Sequence, residues 1–385
     1  MRETFRLGQI VGIRIGVNWS VLVIFALIAY GLAGQYLPAA FPGQGTAAYV
    51  VTGLAAAVVF VASLLAHEIS HALVARRNGV RVEGITLWLF GGVARLSGQA
   101  PSPAAEVRLA GVGPLVSLLL GGLFIAVTAI AAATGVGGLP LAALGWLGLV
   151  NVALAVFNVV PAAPLDGGRL LRALVWWRTG DRYKATVYAS RAGRVFGWLL
   201  VAYGIISLFT QRNIGSLWLA LIGWFLIAAA TSESRQATAQ AALAHIPAER
   251  VMSAPVVTVP ASATVQDLLS GQLTGTRHSA FPITDQTGHT VGLITSSQVR
   301  NVPAADRGNT TLAQAACPLE QVPSCRTAEP LSDVMERLHA GCGGGSALVF
   351  DDGHLAGIIS ARDITRALQS PGMPERAAGS PFQGT

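Results

Sequence analysis

Charge is what this sequence has least of. Asp, Glu, Lys and Arg make up 12% of its 385 residues, about half the 25% usual for a soluble domain. Lysine occurs once, at Lys184, against 25 arginines. With 52% hydrophobic residues, the chain is excluded from the disordered class, which needs the opposite balance. It is equally unlike a single soluble globular domain. Cysteine is scarce too. Cys317, Cys325 and Cys342 all fall late in the chain; they are too few for a disulfide framework or a Cys-rich zinc site and read as free thiols. The formal net charge of +7 could suggest nucleic acid, but it divides unevenly along the chain. Residues 1–232 hold 16 Lys/Arg against 6 Asp/Glu, and residues 233–385 hold 10 against 13. The basic excess belongs wholly to the hydrophobic part. It is a membrane-topology signal, not a nucleic-acid footprint, and nucleic acid is not an expected partner.

What the chain has instead is long apolar runs. A spanning helix needs about 20 mostly apolar residues, and six runs qualify: near 17–34, 47–74, 107–133, 140–160, 195–210 and 214–231. The first is too long for a signal-peptide core and no clean cleavage site follows it. Arginines mark every second loop. Arg2, Arg6 and Arg14 precede the first run, and Arg76, Arg77, Arg81, Arg95 and Arg108 follow the second. Arg169, Arg172, Arg178, Arg182, Lys184, Arg191 and Arg194 follow the fourth, whereas loops 35–46 and 134–139 carry no charge. Fifteen of the 16 basic residues thus share one side, which the positive-inside rule makes the cytoplasm. Both termini are expected there.

Ionisable groups within a bilayer are costly and point to function. The second run contains His67-Glu68-Ile69-Ser70-His71, and the next histidine is His245. On a helix, residues four apart share a face, so both imidazoles can reach one metal ion. Glu68 lies about 100° round the helix, a poor position for a third ligand but a good one for taking a proton from a water that the metal activates. A catalytic zinc keeps three protein ligands, so one more must come from elsewhere. Asp166 ends the fourth run in the segment Asn158-Val159-Val160-Pro161-Ala162-Ala163-Pro164-Leu165-Asp166-Gly167-Gly168-Arg169. The prolines stop the helix and the glycines permit a sharp turn. The competing role for Asp166 is a plain helix cap. Topology favours the ligand: the second and fourth runs both enter from outside, so His67, His71 and Asp166 reach similar depth near the cytoplasmic face. Asn158 could polarise a substrate carbonyl or make an ordinary helix–helix hydrogen bond.

These two motifs together resemble the site-2 protease family of intramembrane zinc metalloproteases, over residues 1–232. The resemblance implies that His67, His71 and Asp166 bind one Zn2+ and that Glu68 is the catalytic base. It further implies hydrolysis of a peptide bond in or near the transmembrane segment of a single-span membrane substrate, of the anti-sigma regulator type. Segment 84–98, with Gly91-Gly92 at its centre, reads as a membrane-associated β-hairpin. In the family such an element is thought to pair with an unwound substrate, which satisfies the backbone of a helix that must open. Gly91 and Gly92 are therefore candidate substrate-contacting or oxyanion residues.

Beyond residue 232 the composition turns polar. A linker or helical connector is expected over 233–246. Gly288-His289-Thr290-Val291-Gly292-Leu293-Ile294-Thr295 then recurs 65 residues later as Gly353-His354-Leu355-Ala356-Gly357-Ile358-Ile359-Ser360. The repeat resembles a tandem pair of CBS domains, about 247–304 and 313–370, in a cytoplasmic α/β module. In that family a Thr or Ser followed three residues on by Asp holds the ribose and phosphate of an adenine nucleotide. Ser360 and Asp363 match this, while Thr295 is followed by Gln298. The resemblance thus offers an adenine nucleotide as second cofactor, at one site at most, and alternatively a homodimer formed through the pair. Residues 371–385 have the composition of a disordered tail. The fold class expected is a polytopic α-helical membrane protein of six transmembrane helices with a β-hairpin, plus the CBS module. Two rival functions are a CBS-regulated membrane transporter and a non-catalytic family member that binds membrane partners. Polar residues concentrated at one constellation speak against the first, and an intact Glu68 against the second.

Overall fold

The computed structural model describes residues 4–88, 91–98, 100–211, 215–270, 279–338 and 341–369. The tail 371–385, expected from its composition to be disordered, lies outside them. The chain divides into two compact units, Met1–Ala237 and Thr238–Thr385.

The first unit opens with a hairpin, β1 (Phe5–Ile10) and β2 (Ile13–Val17). Six long apolar helices follow: α1 (Ser20–Ala40), α2 (Thr46–Arg77), α3 (Pro103–Ala133), α4 (Leu139–Val159), α6 (Arg182–Gln211) and α7 (Ser216–Leu243). All six are long and apolar enough to cross a membrane. A short helix α5 (Asp166–Thr179) stands between α4 and α6. The last run continues as helix through 231–243, so the connector to the second unit is helical. Large apolar side chains such as Leu119, Ile130, Phe209 and Trp224 point outward, as a lipid solvent permits. Inside, small residues let the helices approach. A side-chain carbon at Gly121 would lie 2.9 Å from the Gly148 carbonyl, and one at Gly197 would lie 2.7 Å from that of Gly223, in keeping with the small-residue interfaces of membrane helices.

The expected hairpin is present as β3 (Arg81–Trp88) and β4 (Gly91–Ser97), paired antiparallel from Arg81–Ser97 to Trp88–Gly91. It is part of a larger element. β3 also pairs in parallel with β2, giving a four-stranded sheet in the order β1-β2-β3-β4. Ile13, Ile85 and Leu87 from this sheet share a buried cluster with Val21 of α1 and Ala72 of α2. The sheet is thereby pinned to the end of α2 that carries the histidines, with β4 on its edge.

The second unit contains a repeated α/β element. Strands β6 (Ala280–Thr284) and β7 (Thr290–Thr295) form a hairpin, matched by β10 (Ser346–Asp351) and β11 (His354–Ser360). The first hairpin joins the short strands β5 (Val259–Pro260) and β8 (Cys317–Pro318), and the second joins β9 (Ser324–Arg326). The repeated sequence has a backbone cause. Gly288 and Gly353 hold the same left-handed turn, at φ +84° and +85°, a conformation that glycine adopts without penalty. Each half has its own apolar core, around Phe281 and Ile294 in one and Val349 and Ile359 in the other. One expectation is corrected here. Cys317 and Cys342 form a disulfide with a Cα–Cα separation of 5.6 Å, tying β8 to the loop before β10, and only Cys325 is a free thiol. The fold brings together two cysteines 25 residues apart, a pairing that sequence spacing alone does not reveal.

Candidate active site

The site is assembled from α2, α3, α5 and the edge of the sheet. His67 and His71 lie on one face of α2 and are 3% and 8% exposed. Their Nε2 atoms are 3.2 Å apart. Asp166 Oδ2 lies 3.3 Å from the first and 3.1 Å from the second. Asp166 reaches this point because Pro161 and Pro164 end α4 and the chain reverses at once into α5. Gly167 makes the reversal feasible, since a Cβ there would sit 2.2 Å from the carbonyl oxygens of Val159 and Val160. A carboxylate in the first turn of α5 also suits the positive end of the helix dipole.

α3 forms the opposite wall. His71 Nδ1 donates to the Leu109 carbonyl at 2.5 Å, and His67 Nδ1 is 2.9 Å from Ser117 Oγ. A carbonyl can only accept, so the neutral His71 ring carries its proton on Nδ1 and presents a lone pair at Nε2. Between these two contacts stands Gly113. A Cβ there would lie 2.2 Å from His71 Nε2 and 2.6 Å from His67 Nε2, so glycine leaves open the space that the ligand atoms face. Two imidazole nitrogens and one carboxylate oxygen, all within 4.8 Å of one another, with the far ring nitrogens hydrogen-bonded, are a donor set that fits zinc. Among the described residues this is the one cluster of its kind.

Glu68 faces the sheet. The Gly92 backbone N–H donates to Glu68 Oε1 at 3.2 Å, and a Cβ at Gly92 would sit 2.2 Å from Glu68 Cγ. The edge strand therefore runs directly against the carboxylate. Asn158, in the last turn of α4, donates to the Leu154 carbonyl of its own helix at 3.1 Å. In the second unit Ser360 Oγ and N–H both donate to Asp363, at 2.6 and 2.9 Å, at the start of the final helix. Thr295 makes the equivalent cap with Gln298. The residues singled out for nucleotide contact thus also cap helices.

Sequence reasoning missed Leu109, Gly113 and Ser117, and with them Glu106, which pairs with Arg169 and Arg172. Positions 106, 109, 113 and 117 repeat at helical spacing and share a single face of α3, but only the packing of that face on the histidines gives the pattern its meaning.

Comparison with known proteins identifies the family. The model for peptidase family M50 matches residues 55–138 and 132–200, and that for the CBS domain matches 248–304 and 315–370. Rip3 of Mycobacterium tuberculosis strain H37Rv, named as a zinc metalloprotease, is 40% identical over 368 residues, covering 96% of this chain and 93% of Rip3. Zinc metalloprotease MJ0392 of Methanocaldococcus jannaschii is 27% identical over 371 residues, covering 96% of this chain and 97% of its own. A solved site-2 protease from Methanocaldococcus jannaschii aligns with 60% of this chain and 95% of its own at 28% identity, with a TM-score of 0.43. The chain belongs to peptidase family M50, the site-2 protease family of metalloproteases, and carries a tandem CBS pair after its membrane helices.

Proposed function

We propose that this protein is an intramembrane zinc endopeptidase that cleaves a single-span membrane protein in or beside its transmembrane helix. The observation that carries the reading is the meeting of three elements. The His67–His71–Asp166 donor set, the Glu68 carboxylate beside it on α2, and the β4 edge, whose Gly92 N–H donates to Glu68, come together at one place. His67, His71 and Asp166 would hold the ion. Zinc supplies Lewis acidity there, lowering the pKa of a water toward 7 and polarising the scissile carbonyl. Glu68, beside the ligands without belonging to them, accepts the proton of the attacking water and returns it to the leaving amine. The Gly92 N–H aims that carboxylate, while Leu109 and Ser117 fix the two rings. β4 has a neighbour on one side only among the described residues. An extended substrate strand laid along its free edge regains the hydrogen bonds it loses when its helix opens.

The arginine-bearing loops put both termini and the CBS unit in the cytoplasm on this reading. Ser360 and Asp363, with Thr295, are the residues for an adenine nucleotide that would regulate cleavage, and the pair is the surface for homodimerisation. A single-span regulator of the anti-sigma type is the substrate class. Comparative proteomics of membrane fragments tests the proposal. Cells with wild-type protein should accumulate fragments cut within or next to a transmembrane segment, and cells with Glu68→Gln should not. Identical fragment sets would refute it.

A further inference from the structure

Glu106 has no part in the chemistry above, yet it is 3% exposed and carries a buried carboxylate. It sits in the first turn of α3, which Ser102 caps by accepting from the Ala105 N–H. Two cations from α5 meet it. Arg169 Nε donates to Glu106 Oε1 at 2.9 Å, and Arg172 donates to the same oxygen. Arg172 turns its other nitrogen toward Glu233 Oε1 of α7, at 3.4 Å. Arg169 and Arg172 stand three and six residues after Asp166 on one short helix, so whatever fixes them fixes the placement of Asp166. A surface ion pair would do this weakly. Here the carboxylate is desolvated and takes charge-assisted hydrogen bonds from two guanidinium groups, which add direction as well as energy.

The place of Glu106 on α3 gives the contact its meaning. Leu109, Gly113 and Ser117, the residues that seat the two imidazoles, follow it at intervals of three, four and four along the same face. One helix face thus touches all three members of the donor set, the histidines directly and Asp166 through the arginines. We propose that Glu106 is a positioning residue that sets Asp166 against the His67–His71 pair, so that the metal site is completed by an ion pair about a helical turn away from it. This rests on the reading of those three residues as metal ligands. Groups that orient ligands from behind are worth about 10–100-fold in metal affinity.

The test is zinc release from the purified full-length protein in detergent, followed with a chromogenic chelator, alongside the visible spectrum of the cobalt-substituted enzyme. Asp166→Asn first checks the underlying reading: it should lose zinc, and retention of wild-type zinc would overturn that reading itself. If Asp166→Asn behaves as expected, Glu106→Gln should release zinc at least 10-fold faster than wild type and alter the cobalt bands, with Glu106→Asp intermediate. Glu106→Gln leaves two guanidinium groups short of an anion, so Glu106→Gln/Arg169→Gln serves as a charge-balanced second variant, in which Arg172 keeps Glu233. It should fold and show the same fast release. Wild-type release and spectrum in either folded variant would overturn the proposal. So would unfolding of both, which would make Glu106 a stability residue.

Discussion

Gly113 is the residue on which the geometry makes its sharpest claim. Any side chain there enters the space that His67 and His71 face, because its Cβ would come within 2.2 Å of a ligand nitrogen. Gly113→Ala should therefore abolish stoichiometric zinc binding, measured by plasma mass spectrometry, while leaving the helical circular dichroism intact. Full zinc content in that variant would mean the donor set lies elsewhere. Ser117→Ala is milder, since it leaves His67 with both nitrogens but removes the partner of Nδ1. Zinc affinity should drop about 10–100-fold, read by chelator competition. Cysteine chemistry gives an independent check on the second unit. Burial pushes the Cys325 thiol up, against a smaller opposing effect of Arg337. The sign follows: a raised pKa means less thiolate at a given pH, and thiolate is the nucleophile. Folded protein should alkylate slowly at Cys325 near pH 7 and quickly once denatured. Peptide mapping without reductant should recover Cys317 joined to Cys342, and three alkylated thiols under those conditions would contradict the pairing.

Among elements, the edge strand β4 and the helix α3 divide the work of the site. β4 passes Glu68 close enough for a backbone hydrogen bond, so a substrate strand added to its free edge would lie one strand away from the base. A photo-crosslinking residue in place of Arg95, an exposed position in β4, should capture substrate, and one in place of Tyr30, exposed on α1, should not. Equal capture at both would sink the strand-addition idea. Much at this scale was legible in the sequence. Each apolar run became a helix because membrane spans must satisfy their own backbone, and the HExxH and LDGG segments announced their geometry through spacing and through proline and glycine. The N-terminal hairpin was missed: Ile13-Arg14-Ile15-Gly16-Val17 does alternate as a half-buried strand should, but the run is short and its partner β1 is exposed along its whole length. Nor was the role of α3. Its stripe of Glu106, Gly113 and Ser117 is readable only when one knows that α3 faces the histidines, and that is a fact of packing. The disulfide was hidden for the same reason.

For the molecule as a whole, the low and lopsided charge is a consequence of two different solvents. In the first unit the buried ionisable side chains gather at the donor set and at Glu106. The second is a repeated α/β unit in which acidic residues outnumber basic ones. The arginine loops predict one orientation, which reporter fusions at residues 1 and 369 can check: both should read as cytoplasmic, and a reporter in loop 41–45 as external. The central claim is that Glu68 acts on water beside a metal held by His67, His71 and Asp166. It is tested most directly by purifying Glu68→Gln in full-length form and measuring two things together, zinc per chain and cleavage of a single-span substrate in proteoliposomes. The expected result is wild-type zinc with cleavage reduced about 10²–10⁴-fold, the usual contribution of a positioned base. Cleavage at the wild-type rate with zinc retained would contradict the assignment of Glu68 and the mechanism built on it.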